Sequence, residues 1–148
     1  MNEKKLLIDK KFWIQMIGIW LPVLVWAFVI FSFSAIPSAH VSEIHWKDFI
    51  VKKSAHMTEY GIFATLLFRA LRINGMSVKR AGLTAIILCF MYGLTDEFHQ
   101  SFTPGREPAF RDVIFDTIGA ILATLIIWNI LPKAPKELKK LLTRLQIL

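Results

Sequence analysis

The 28 residues from Phe12 to Ala39 carry no charged side chain. As a helix, such a run crosses the hydrocarbon layer of a bilayer, about 30 Å thick, which needs about 20 residues. A secretory signal peptide has a shorter apolar core, roughly 7–15 residues, closed by a small-residue cleavage site. Pro37-Ser38-Ala39 matches such a site poorly, so the run reads as an uncleaved membrane span. Pro22 lies inside it, tolerable where neighbouring groups take up the freed carbonyl.

Three weaker spans follow. Val51 to Leu71 is apolar only in its second part, because Lys52, Lys53, His56 and Glu59 occupy the first. Ala81 to Gln100 is uncharged through Thr95 and then reads Asp96-Glu97-Phe98-His99-Gln100. Asp112 to Leu131 opens on Asp112 and Asp116 and then runs uncharged. None of these three is expected to stand on hydropathy alone. The connections between them are short and rich in turn formers, Asn74-Gly75 and Thr103-Pro104-Gly105, which favours four helices. The expected fold is all-α, one transmembrane domain over residues 1–131 with a basic tail at 1–11, and a separate C-terminal tail at 132–148.

The net charge of +7 would ordinarily raise nucleic acid as a partner. The distribution excludes it. Lys4, Lys5, Lys10 and Lys11, then Arg69, Arg72, Lys79 and Arg80, then Lys133, Lys136, Lys139, Lys140 and Arg144 fall on one side of a four-helix chain. These thirteen basic residues face only Glu3, Asp9 and Glu137, and the other eight acids lie on the opposite side. By the positive-inside rule both termini are expected in the cytoplasm. Beyond Pro132 and Pro135, Leu138, Leu141, Leu142, Leu145 and Leu148 recur at helical spacing among lysines, the pattern of an amphipathic helix on an anionic inner leaflet. The single cysteine, Cys89, sits in an apolar run and reads as a small buried hydrophobe. Trp13 and Trp128 read as inner interfacial anchors, and His40, His45 and Trp46 as outer interface residues.

Ionisable groups inside membrane spans are costly and by default mark function. Three clusters occur, and at 100° per residue each occupies one face of its helix. Lys52, Lys53, His56, Glu59 and Tyr60 share an arc of about 120° on the second helix. Tyr92, Gly93, Asp96, His99 and Gln100 share a comparable arc on the third, with Glu97 at its edge. Asp112, Asp116, Gly119 and Ala123 align on the fourth, where the small residues permit close helix approach. All three faces fall at the outer-leaflet level, which points to a shared cavity. Asp96 and Glu97 lie near a helix C-terminus, where acids are disfavoured, whereas Asp112 and Asp116 lie in favourable first turns and Asp112 is suited to cap. Arg106 stands beside these carboxylates and is expected to pair with them or to hold an anion. Lys52 reads as a snorkelling surface cation. His56, Glu59, Asp96, Glu97 and His99 offer donors to a divalent metal, without a fixed ligand spacing such as HExxH or CxxC. No other cofactor is evident. For acid–base chemistry, His56 or Glu59 opposite Asp96 across the bundle is the expected pair.

The series Phe31-Ser32-Phe33-Ser34-Ala35-Ile36-Pro37, then Lys53-x-x-His56-x-x-Glu59-Tyr60, then Gly93-x-x-Asp96-Glu97-x-His99-Gln100-x-Phe102-x-Pro104-Gly105-Arg106, then Asp112 and Gly119-Ala120, closely resembles the VanZ-like membrane proteins. The resemblance runs from about Phe31 to Ala123. It implies a small multi-pass protein of a bacterial cytoplasmic membrane, of a family named for a member that lowers susceptibility to teicoplanin. It implies functional positions at Lys53, His56, Glu59, Tyr60, Asp96, Glu97, Gln100, Arg106 and Asp112. The chain departs from the family at Asp116, where Asn is frequent, so the site carries one more potential negative charge.

The leading expectation is an outer-leaflet site that binds or modifies an amphiphile such as a lipid-linked cell-wall precursor or a lipoglycopeptide. His56, Glu59, Asp96 and Glu97 would serve catalysis by hydrolysis or group transfer, while Lys53, Tyr60, His99, Gln100, Arg106, Asp112 and Asp116 would hold the ligand. A non-enzymatic protein that binds a cationic ligand or docks a cell-envelope enzyme is the alternative. A proton-coupled transporter or flippase is less favoured, because the ionisable groups gather at one depth rather than at the midplane.

Overall fold

A computed structural model describes residues 3–36, 45–106 and 109–148, so the expected interface residue His40 lies outside the described residues. Four long helices and a short one follow in order: α1 (Glu3–Ser34), α2 (His45–Ile73), α3 (Val78–Gln100), α4 (Phe110–Leu125) and α5 (Lys136–Arg144). A π-helical turn, Ile126–Ile130, and a 3-10 turn, Leu131–Lys133, prolong α4. No strand occurs among the described residues.

Three segments are long and apolar enough to cross a membrane: Trp13–Ser34, Val78–Gln100 and Phe110–Lys133. The third and fourth spans thus stand by themselves, against the sequence expectation. Their charges are confined to their end turns, and the turns after Leu125 lengthen the last span. The segment that does not qualify is α2, whose first half holds the lysines, His56 and Glu59.

The helices alternate in direction. The Tyr92 hydroxyl donates to the Ala27 carbonyl at 2.6 Å and Gln100 Nε2 donates to Ser34 Oγ at 3.3 Å, so α1 and α3 run together. Trp26 Nε1 donates to the Glu59 carbonyl at 2.9 Å, which sets α1 antiparallel to α2. Lys53 faces Asp112 and His56 faces Asp116, so α2 and α4 run in the same direction. The carboxyl ends of α1 and α3 and the amino ends of α2 and α4 therefore share one end of the bundle. The amino end of α1 and the C-terminal segment lie at the other end.

The least apolar long helix is the most central. Tyr60, Phe63, Ala64, Leu67, Phe68 and Ala70 of α2 are buried together with Ala81, Ala85 and Cys89 of α3, while α1 contributes Val23 and Ile30. The outward face of α1 is apolar and exposed, as at Leu24 and Phe28, which suits a lipid-facing helix. α2 packs chiefly against α4. Gly119 makes that possible, since a Cβ there would fall on the Met57 backbone. Gly82 of α3 likewise receives the partly buried Trp128 ring. Trp13 is 63% exposed, Trp46 is exposed, and Lys47 Nζ lies 5.7 Å above the Trp46 ring.

The C-terminal segment folds back onto the bundle. Leu142 is buried, Ile147 packs on the core, and Arg69 donates to the Leu145 carbonyl and to Gln146 Oε1, each at 2.9 Å. Leu138, Leu141, Leu145 and Leu148 remain exposed.

Candidate functional site

The three polar faces meet at the bundle end shared by the start of α2, the end of α3 and the start of α4. The Lys53 ammonium pairs with Asp112 Oδ2 at 2.5 Å, and each side chain is about one-seventh exposed. The Phe49 and Phe115 rings flank that ammonium at 5.6 and 5.8 Å, within cation–π range. One turn deeper, His56 Nδ1 lies 3.3 Å from Asp116 Oδ1, without the alignment of a hydrogen bond. Asp116 and Tyr60 are fully buried. Gly93 of α3 lies against both, and a Cβ at that position would come 3.5 Å from Asp116 Oδ2 and 3.7 Å from the Tyr60 ring.

His56 thus faces Asp116 on α4, and the expected His56–Asp96 pairing gives way to this contact. Spacing along a helix fixes the direction of a side chain but not which neighbour stands in that direction. Asp96 instead receives a hydrogen bond from Gln100 at 3.0 Å, one turn along the same helix. Glu59 is half-buried beside these groups, and Lys52 is half-buried near the same end. The His99 ring stacks on Phe31 with centroids 4.0 Å apart.

Two further expectations change. Asp112 does not cap α4: the cap position is Ala109, with no side-chain cap bond. Glu97 Oε2 accepts the Ala109 N–H at 2.8 Å, so an acid placed unfavourably at the end of α3 is compensated at the positive start of α4. Arg106 hydrogen-bonds no carboxylate among the described residues. Its Nη2 and Nε donate to the Phe33 and Ile36 carbonyls at 3.1 and 3.2 Å, and Nη1 to Gln100 Oε1 at 3.5 Å. The Phe33 carbonyl also accepts the Ile36 N–H at 3.2 Å, so the guanidinium adds a second donor there and ties the turn after α1 to Arg106. Ser34, which receives the Gln100 amide, joins the site from α1 and was not singled out in the sequence; its place in the Phe-Ser-Phe-Ser run was the available signal.

The groups pack closely rather than around the expected open cavity: Asp96 is 3% and Gln100 3% exposed. A cleft of about 300 Å³ opens beside them between α3 and α4, lined by Glu97, Phe98, Ser101 and Phe110 among others. Even so, eight buried polar atoms here have no hydrogen-bond partner: His56 Nδ1, Tyr60 Oη, Asp96 Oδ1, Glu97 Oε1, His99 Nδ1, Asp112 Oδ1 and both Asp116 oxygens. Among the described residues no group of three or more His, Cys, Asp or Glu side chains is arranged to hold a metal ion.

A helical bundle with three membrane-length apolar helices and a buried, predominantly acidic cluster at one end defines a class, the small multi-helix membrane proteins. Within that class the assignment is specific. The VanZ/LLP1 profile matches residues 12–131, and the chain belongs to this family. No curated protein and no solved structure matches the chain.

Proposed function

We propose that this protein binds an amphiphile of the bacterial cell envelope at the outer leaflet of the cytoplasmic membrane, taking its headgroup at the cluster around Asp96, Asp112 and Asp116. The orientation rests on the basic residues, which gather with the amino end of α1 and the C-terminal segment at the opposite end of the bundle and favour the cytoplasmic side. The exposed leucines and lysines of α5 suit the inner interface on that side.

The observation that carries the reading is the set of unpartnered buried polar atoms. Leaving one buried donor or acceptor unsatisfied costs roughly 1–3 kcal/mol, so the five that stand outside any ion pair, Tyr60 Oη, Asp96 Oδ1, Glu97 Oε1, His99 Nδ1 and Asp116 Oδ2, favour a polar ligand that completes them. Lys53 supplies a cationic donor for phosphate and His56 an imidazole N–H, and the carboxylates accept from sugar hydroxyls and amines. A lipid-linked cell-wall precursor and a lipoglycopeptide such as teicoplanin both present such groups at the headgroup level.

The test is susceptibility. In a sensitive host, the chain should raise the inhibitory concentration of teicoplanin. The double variant Asp96→Asn, Asp116→Asn should return it to the vector level at unchanged protein abundance. Retained protection by that variant would refute the reading.

One contact favours chemistry in addition to binding: the His56 imidazole stands 3.3 Å from the buried Asp116 carboxylate, close enough for a small rotation to make the hydrogen bond that orients a general base. A precursor whose mass changes with purified protein, and not with His56→Ala, would establish turnover.

A further inference from the structure

A second recess, predominantly apolar, runs along the α2–α4 pair. It has a volume of about 630 Å³ and no charged residue in its wall. Its upper end is formed by Ser54 and Met57, the chain neighbours of Lys53 and His56, and by Gly119, one turn beyond Asp116. Its lower end closes on Leu131, Leu142 and Ile147, so the folded-back C-terminal segment forms a floor. The side facing out of the bundle is bounded by Ile62, Leu122 and Ile126, all partly exposed.

The dimensions decide what fits. The α2 wall covers about 18 Å at 1.5 Å per residue, from Ser54 to Leu66, and the facing wall runs from Gly119 along α4 and through the turns that prolong it to Leu131. That length is slightly more than half of the roughly 30 Å hydrocarbon thickness, the depth of one leaflet. A groove of one leaflet's depth suits a single hydrocarbon chain lying along it. The absence of charge in the wall and the continuity of the upper end with the polar cluster point to the same occupant.

We propose that the groove between α2 and α4 holds the hydrocarbon tail of a membrane amphiphile, whose headgroup then falls beside the Lys53–Asp112 and His56–Asp116 pairs. This rests on the amphiphile-binding reading above and adds where the tail lies. Small residues serve it directly: Gly61 and Ala123 keep the groove open where larger side chains would fill it.

The experiment uses the full chain in nanodiscs that contain a phospholipid with a photoactivatable group midway along one acyl chain. Labelled positions are read by mass spectrometry. Ile62 and Leu122 should be labelled severalfold more than Leu24 and Ile87, which are more exposed but lie outside the groove. Ala123→Trp should remove that excess, and Ile87→Trp should leave it intact. Thr58→Trp, at an exposed position of the wall, provides the same obstruction where Ala123→Trp fails to assemble. Equal labelling of all exposed faces, or an excess that survives both groove-filling variants, overturns the proposal. The susceptibility assay reports on the headgroup cluster alone, so loss of either finding is read separately from the other.

Discussion

Gln100 shows how much one side chain can tie together. Its amide nitrogen donates to Asp96 and to Ser34 Oγ, and its oxygen accepts from Arg106, which in turn holds the last carbonyls of α1. Gln100→Leu removes all three bonds at nearly constant volume and strands a buried carboxylate oxygen. We expect a loss of about 1–3 kcal/mol, read as a lowered unfolding temperature in detergent. Tyr92→Phe is the contrasting case. It removes one hydrogen bond to a carbonyl within the bundle and should cost about 0.6 kcal/mol, well under the loss for Gln100→Leu. At this scale the sequence was informative about membership and poor about pairing. Helical arcs placed Lys53, His56, Asp96, Asp112 and Asp116 on inward faces, and the structure brings those faces to one end. Which carboxylate meets His56, and that Arg106 serves the end of α1, depend on neighbours that no spacing along one helix encodes.

At the scale of the element, α2 inverts the ordinary relation between hydropathy and burial. It fails as a membrane span by composition and yet holds the centre of the core. Its lysine and histidine are accommodated because α4 presents Asp112 and Asp116 at matching heights, and because Gly119 lets the two backbones touch. Gly119→Ala should therefore cost about 1–3 kcal/mol or prevent assembly, since the added methyl meets the Met57 backbone rather than a movable side chain. Gly61→Ala on the facing helix should be tolerated, because its methyl would make ordinary contacts at 3.5 and 3.7 Å. Thermal unfolding of the two variants side by side checks the difference. The existence and number of helices were legible, since the uncharged runs and turn residues mark them. The central position of α2 was not, because a window along the chain sees its charges and not their partners.

At the scale of the whole molecule, charge asymmetry makes a prediction about sidedness. Cys89 is buried, so the native chain offers a quiet background for an impermeant maleimide. Phe102→Cys, on the exposed turn after α3, should react in intact cells. Asn74→Cys, between α2 and α3, should react only once the membrane is opened. The reverse pattern would invert the orientation and move the polar cluster to the inner leaflet. The parallel pairing of α2 with α4 also governs how the protein is made. The carboxylates that neutralise Lys53 and accommodate His56 are synthesised only after α3 and the following turn have emerged. At roughly 5–20 residues per second, α2 waits several seconds for them. During that interval it is too polar to partition into lipid by itself, so it must be retained in the insertion machinery or at the membrane surface. A chain truncated after Gly105 should leave α2 uninserted, and a glycosylation acceptor placed near its start would record when it commits.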